Sequence, residues 1–136
     1  MASYSLLKLL KAQKMAQDGV ISSSKSFKNA TWLQLVEHCN GCGADGSWFR
    51  PPAYIWGVWI GAACIPHDWD YTFGTTEFGK LKADWRMYKN IVKLLIAGER
   101  ISTWKPLYFM KNRAWIYYQA VRRHGDNAYW KNKLRK

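Results

Sequence analysis

The stretch that decides the fold is residues 63–71, Ala-Cys-Ile-Pro-His-Asp-Trp-Asp-Tyr, which lies in an apolar run that begins near Tyr54. It brings a histidine, two carboxylates and a tyrosine into that run. Burying a charged group without a partner costs several kcal/mol, so polar residues at this density indicate metal binding or catalysis. The simpler interpretation is that His67 and Asp68 cap the end of a helix and are held there by hydrogen bonds.

Helical patterns occupy most of the chain, which predicts an all-α fold. Helices are predicted over residues 2–18, 32–38, 53–72, 76–97 and 103–124. Pro66 is expected to bend the third of these helices. Residues 22–31 are expected to be a polar linker, and the tail from Tyr129 is expected to fray. Residues 1–136 are predicted to be a single domain with its core over 32–98 and a basic helix at each end.

The helix predicted to follow residues 63–71 carries a second unusual carboxylate. Its apolar stripe, spaced by three and four residues, is Leu81, Trp85, Tyr88, Val92 and Leu95. Asp84 falls within this stripe, and two antiparallel helices joined by a short turn would bring it back beside His67. The alternative is that Asp84 lies at the edge of the stripe and reaches water.

Positive charge is the dominant feature of the composition. The chain has 21 Lys and Arg against nine Asp and Glu, a formal net charge of +12, together with nine Trp and eight Tyr. This combination favours an anionic membrane surface, where aromatic and basic residues are enriched, or nucleic acid. No membrane-spanning segment or signal peptide is expected, so the location stays open between a virion and export by a non-standard route.

The residue types near His67 suit a hydrolytic calcium site. His67 and Tyr71 are four residues apart and share a helix face, with Asp84 expected to hold one nitrogen of the imidazole. Asp68 points about 100° away on that helix, toward the segment that packs there. If that segment is the glycine-rich loop that begins at Cys39, a carboxylate and several carbonyl oxygens converge, and these are ligands that calcium prefers.

Three motifs in this order resemble the secreted phospholipase A2 superfamily, and especially its short prokaryotic and phage-encoded members. They are residues 40–43 (Asn-Gly-Cys-Gly), residues 63–71 and residues 83–84 (Ala-Asp). The resemblance implies a phospholipase A2-like fold, in which two antiparallel helices carry the site between N- and C-terminal helices. It also implies a disulfide between Cys42 and Cys64.

The same resemblance implies a role for each residue of the reaction. His67 matches the general base that activates water, and Tyr71 and Asp84 match the pair that supports the histidine. The backbone amide of Gly43 matches the group that stabilises the oxyanion. The implied activity is calcium-dependent hydrolysis of the sn-2 ester of glycerophospholipids at a membrane surface, which is a hydrolase activity in lipid degradation.

Calcium is the implied cofactor, and its ligands follow from the resemblance as well. Asp68 matches the carboxylate ligand. Gly41 and Gly43 match positions whose carbonyl oxygens complete the calcium shell, with Asp45 or Gly46 as a further ligand.

Zinc is the main alternative. Cys39, Cys42, Cys64 and His67 form two pairs with the spacing of a four-ligand zinc site, and the net charge would then indicate a nucleic-acid-binding protein. Asp68, Tyr71 and Asp84 have no function in that interpretation. A second alternative is a non-catalytic structural or interaction protein, for example a virion component, that keeps the same scaffold.

Overall fold

The structure is a computed structural model that describes residues 5–39, 54–55, 57–98, 104–131 and 133, with the side chains of the long helix near the C-terminus described from residue 113. The elements are α1 (Leu6–Gln17), α2 (Lys25–Lys28), α3 (Trp32–His38), β1 (Tyr54–Ile55), β2 (Val58–Trp59), α4 (Gly61–Phe73), α5 (Glu77–Ala97), α6 (Trp104–His124) and α7 (Asp126–Trp130). The described residues are mostly helical, so the fold belongs to the all-α class.

Side-chain caps fix where several helices begin. Ser5, Thr31 and Thr76 each accept a hydrogen bond from a backbone N–H in the first turn of α1, α3 and α5. At α3 the side chain of Gln34 also accepts from the backbone of Thr31, which completes a capping box. These caps satisfy N–H groups that have no partner within the helix. The predicted bounds of α3 and the predicted end of α5 at Gly98 are confirmed.

The helix predicted from residue 53 begins eight residues later than expected, since α4 starts at Gly61. A short antiparallel hairpin precedes it, with Tyr54 opposite Trp59 and Ile55 opposite Val58. Gly57 in the turn has a φ of +80°, which glycine adopts at no steric cost. The four paired residues are β-branched or aromatic and therefore suit strands, although their apolar character also resembles that of a buried helix.

Two further predictions of irregular structure are wrong. Residues 22–31 contain the helical turn α2, whose Phe27 is fully buried. The tail is not frayed at its start either, because Tyr129 and Trp130 are buried at the end of α7; residues 132 and 134–136 lie outside the described residues. The hydroxyl of Tyr129 accepts from the amide of Thr76 at 3.1 Å and donates to its carbonyl at 2.7 Å. Its ring packs edge-on against Tyr71, so α7 closes over the end of the pair formed by α4 and α5.

Helices α4 and α5 are joined by a three-residue turn and run antiparallel, since the ammonium group of Lys80 lies 5.8 Å from the ring centre of Tyr71 and Asp84 reaches back to His67. The main core gathers side chains from most elements. It includes Leu9, Phe27, Leu35, Ile55, Ile65, Ile91 and Leu95. The buried face of α4 is apolar except at His67, so the core holds this helix with the imidazole directed at α5.

The predicted stripe on α5 is wrong in its first half, because Leu81 and Trp85 are each 42% exposed. The buried residues of α5 are Lys80, Ala83, Asp84, Met87, Asn90, Ile91, Leu94 and Leu95. Trp85 and Tyr88 instead pack against Trp115 and Tyr118 of α6, near the surface. These aromatic side chains therefore join α5 to α6 near the surface.

Candidate active site

The candidate active site centres on a contact between His67 of α4 and Asp84 of α5. The Nε2 atom of His67 lies 2.8 Å from Oδ1 of Asp84, and the two residues are 7% and 0% exposed. The turn between the helices, with Gly74 at its start and Thr76 as the N-cap of α5, brings these side chains together. The predicted proximity of His67 and Asp84 is therefore confirmed, and Asp84 does not reach water.

Tyr71 joins the same carboxylate oxygen one helical turn after His67. Its hydroxyl donates to Oδ1 of Asp84 at 2.6 Å, and the centres of the Tyr71 and His67 rings are 4.1 Å apart. Burial, together with the negative charge of Asp84, raises the pKa of Tyr71 well above its usual value. The hydroxyl therefore keeps its proton and acts as a donor, while the ring restricts the imidazole from one side.

The other oxygen of Asp84 is occupied by two cations that the sequence analysis did not single out. Nζ of Lys80 and Nη1 of Arg122 each lie 2.9 Å from Oδ2 of Asp84. Lys80 precedes Asp84 by four residues on α5, a spacing that places two side chains on one helix face, so the sequence did contain this signal. Arg122 comes from α6, and no local pattern relates it to Asp84.

These contacts determine the charge of Asp84. Burial alone would raise its pKa, but the hydrogen bond and charge of His67, the charge of Lys80 and the hydrogen bond of Tyr71 outweigh burial and lower the pKa to about 2. Asp84 is therefore an ionised carboxylate at neutral pH, and an ionised carboxylate only accepts hydrogen bonds.

The state of Asp84 fixes the tautomer of a neutral His67. Because Oδ1 of Asp84 can only accept, the ring proton of His67 is on Nε2. The second nitrogen, Nδ1, then carries a lone pair, and it has no hydrogen-bond partner within the part of the chain that the structure describes. The arrangement leaves one basic nitrogen on a ring whose other nitrogen is held, as general-base catalysis requires.

The expected calcium ligands fall mostly outside the described residues. Asp68 follows His67 on α4 and is partly buried, and its carboxylate is the kind of oxygen donor that calcium prefers. The donors expected from Gly41, Gly43, Asp45 or Gly46 lie outside the described residues, so their placement beside Asp68 stays a prediction. Among the residues that are described, no group of three or more His, Cys, Asp and Glu side chains is close enough to hold a metal ion.

The cysteines bear on the zinc alternative. Cys64 is part of a disulfide, and a disulfide sulfur is not the thiolate that zinc requires. Cys39 is a buried free thiol, and burial, with the nearby charges of Asp68 and Asp70, raises its pKa, so the thiol stays protonated. Both findings weigh against a zinc site. Cys42, the expected disulfide partner of Cys64, lies outside the described residues.

A separate pocket of about 260 Å³ lies between α2, α4 and α5, and His67 is not among the residues that line it. It contains an ion pair in which Nη1 of Arg86 lies 3.1 and 3.2 Å from the two carboxylate oxygens of Asp70. Burial raises the pKa of Asp70 despite this partner. Asp70 therefore pairs with Arg86 rather than with the residues around Asp84.

The sequence matches no protein-family model, no curated protein and no solved structure. None of the helices in the described residues is long and apolar enough to cross a membrane.

Proposed function

We propose that this chain is a phospholipase A2-like enzyme that hydrolyses the sn-2 ester of glycerophospholipids in the presence of calcium. The observation that carries the proposal is the state of His67, which is held through Nε2 by an ionised Asp84 and is left with a basic Nδ1. The ordered motifs around residues 40–43, 63–71 and 83–84 supply the reaction class, because their resemblance is to that superfamily.

In this proposal His67 moves a proton twice. Nδ1 takes a proton from a water molecule as the water oxygen attacks the ester carbonyl carbon, and Asp84 stabilises the imidazolium that forms. When the bond from the carbonyl carbon to the glycerol oxygen breaks, the imidazolium returns the proton to that oxygen. The products are a free fatty acid and a lysophospholipid. Tyr71 keeps the carboxylate of Asp84 and the imidazole of His67 in fixed positions, through its hydrogen bond to the carboxylate and its ring contact with the imidazole.

The proposed cofactor is calcium, held by the carboxylate of Asp68 and by backbone oxygens of Gly41, Gly43 and Asp45. A bound calcium ion would polarise the ester carbonyl and offset the negative charge that develops on its oxygen. The amide of Gly43 is proposed to donate a hydrogen bond to that same oxygen. Support for this ligand set comes from the oxygen chemistry of Asp68 and from the sequence motif of the glycine-rich loop.

The proposed partner is an anionic phospholipid surface. Helix α1 exposes Leu6, Leu7 and Leu10, and Leu7 is 80% exposed, while the exposed lysines Lys8 and Lys11 lie on the same helix. Helix α3, which packs against α1, exposes Trp32, Leu33 and Val36. Apolar and basic residues on short surface helices favour binding in the lipid headgroup region, where both contribute.

The test is fatty-acid release from phospholipid vesicles by the wild type and by His67→Gln, with calcium and with a chelator. His124→Gln is the matched control, because His124 is exposed at the end of α6. We expect calcium-dependent release by the wild type and the control, and loss of release in His67→Gln. Equal and negligible release by wild type and His67→Gln in calcium would refute the proposal and favour the non-catalytic interaction protein.

A further inference from the structure

The second oxygen of Asp84 is bound by two cations that have no role in the reaction as proposed above. Lys80 of α5 and Arg122 of α6 both donate to Oδ2, while His67 and Tyr71 of α4 occupy Oδ1. A carboxylate has about four acceptor positions, and all four are filled here. The four donors come from α4, α5 and α6, so three helices meet at one side chain.

We infer that Lys80 and Arg122 are positioning residues for hydrolysis, which fix the carboxylate of Asp84 so that Oδ1 stays directed at Nε2 of His67. This inference rests on the proposed function. Rotation of the carboxylate about its Cβ–Cγ bond would break the contacts of both cations together with those of His67 and Tyr71. The orientation of the imidazole is therefore determined by groups that never contact the substrate.

Lys80 is an unusual residue to find in this place. Its side chain is fully buried, and its Nζ donates to the carbonyl of Val121 on α6 at 2.9 Å as well as to Asp84. Asp126, at the start of α7, is 3.6 Å from the same nitrogen. Burying an ammonium group is costly unless opposite charge and hydrogen bonds compensate. These contacts therefore hold the side chain of Lys80 in one position.

Arg122 completes the arrangement from the surface side. Its side chain is 30% exposed, so it reaches from the surface to the buried carboxylate, where it donates to Oδ2 of Asp84. Since Arg122 is on α6 and Asp84 is on α5, this contact makes the position of the carboxylate depend on how α6 packs. Small displacements matter here, because a shift of about 1 Å in a catalytic group can reduce a rate by roughly 100-fold.

The test is steady-state hydrolysis of a short-chain phosphatidylcholine dissolved as monomers, with calcium, so that membrane binding does not contribute. The variants are Lys80→Met, Arg122→Gln and Arg122→Lys. The matched controls are Lys89→Met and Arg123→Met, which remove exposed charges from the same two helices. Circular dichroism and thermal unfolding establish that each variant is folded.

We expect Lys80→Met to lower kcat by about 10-fold or more with KM within about 2-fold, because the interaction acts on the base rather than on substrate binding. Arg122→Gln is expected to lower kcat by about 3- to 10-fold, and Arg122→Lys to recover most of that loss, because the charge facing Oδ2 is kept. The NMR signal of the hydrogen-bonded Nε2 proton of His67 should shift in Lys80→Met and stay unchanged in Lys89→Met.

The outcomes separate this inference from the function on which it rests. An inactive wild type overturns the proposed function and this inference with it. If the wild type is active and kcat is unchanged in Lys80→Met and Arg122→Gln, the inference alone is overturned. The same holds if the two variants lose kcat/KM only because KM rises while kcat is preserved. If Lys80→Met does not fold, the Arg122 pair decides: a fall in kcat that lysine restores supports the inference, and an unchanged kcat overturns it.

Discussion

Replacing Asp84 by asparagine is the most informative single change, because it keeps the shape of the side chain and removes its charge. An amide has one accepting and one donating end, whereas both oxygens of Asp84 accept two hydrogen bonds. If the amide oxygen faces Lys80 and Arg122, the NH₂ group faces His67. Nε2 of the imidazole must then accept a hydrogen bond from that NH₂ group. The ring proton therefore moves to Nδ1, and Nδ1 can no longer act as the base.

The opposite orientation is worse for stability, since it points the NH₂ group at two cations. Either way Lys80, which is fully buried, loses its carboxylate partner. Removing one member of a buried ion pair costs about 3–5 kcal/mol. With a typical urea dependence, this corresponds to a decrease of roughly 2 M in the unfolding midpoint. The wrong tautomer is expected to lower kcat by roughly 10⁴-fold, the size of effect seen where a base is held in the wrong tautomer.

Urea unfolding and the monomeric-substrate assay measure these two effects. Asp18→Asn is the matched control, because Asp18 pairs with Lys14 at 3.0 Å but is half exposed, and such pairs contribute about 0.5 kcal/mol or less. The reasoning fails if Asp84→Asn shifts the midpoint no more than Asp18→Asn does. It also fails if an active wild type loses no activity on this substitution.

Three further predictions concern acid stability, the C-terminal segment and membrane binding. Because the pKa of Asp84 is about 2 in the fold and about 3.9 in the unfolded chain, its contribution of about 2 kcal/mol is present above pH 4 and is lost as the pH falls toward 2. The raised pKa of Asp70 acts in the opposite sense, but it does so in the wild type and in Asp84→Asn alike. The urea midpoints at pH 7 and pH 2 should therefore differ more in the wild type, which has the Asp84 carboxylate, than in Asp84→Asn. Tyr129→Phe removes both hydrogen bonds to Thr76 and should lower the free energy of unfolding by about 1–3 kcal/mol in urea titration. Lys11→Glu should weaken binding to anionic vesicles by roughly 10-fold or more in a sedimentation assay at low salt, since each lysine near the surface contributes about 1 kcal/mol.

Each of these has an outcome that contradicts it. An equal pH dependence in wild type and Asp84→Asn would mean that Asp84 is not the group that loses its charge in acid. An unchanged unfolding midpoint in Tyr129→Phe would show that α7 adds no stability through Thr76. Membrane binding by Lys11→Glu that equals the wild type at low and high salt would exclude an electrostatic role for α1.

The sequence was sufficient for the parts of the fold that local chemistry controls. The cap at Thr31 and the stop at Gly98 identified helix ends, and helix periodicity with a short turn was enough to place Asp84 near His67. The hairpin before α4 was missed because the apolar residues on both sides of Gly57 fit a helix as well as a strand. Only the turn at Gly57 distinguishes the two structures, and a lone glycine is a weak signal.

The partners of Asp84 show a different limit. The spacing of Lys80 and Asp84 was visible in the sequence, but lysines on a helix usually extend into solvent, and burial of this one depends on α6 and α7 packing over it. Arg122 is 38 residues from Asp84, and only the tertiary fold brings them together. The burial of Tyr129 is likewise a tertiary effect, because its partner Thr76 lies in the turn between α4 and α5.

The measurement that tests the central claim most directly uses a phospholipid with a labelled fatty acid at the sn-2 position. The wild type is incubated with these vesicles, first with a calcium chelator and then with excess calcium. We predict that labelled fatty acid appears only after calcium is added and that His67→Gln releases none. If no labelled fatty acid is released after calcium is added, or if His67→Gln releases as much as the wild type, the central claim is contradicted. That claim is that His67, held by Asp84, is the base of a calcium-dependent phospholipid hydrolase.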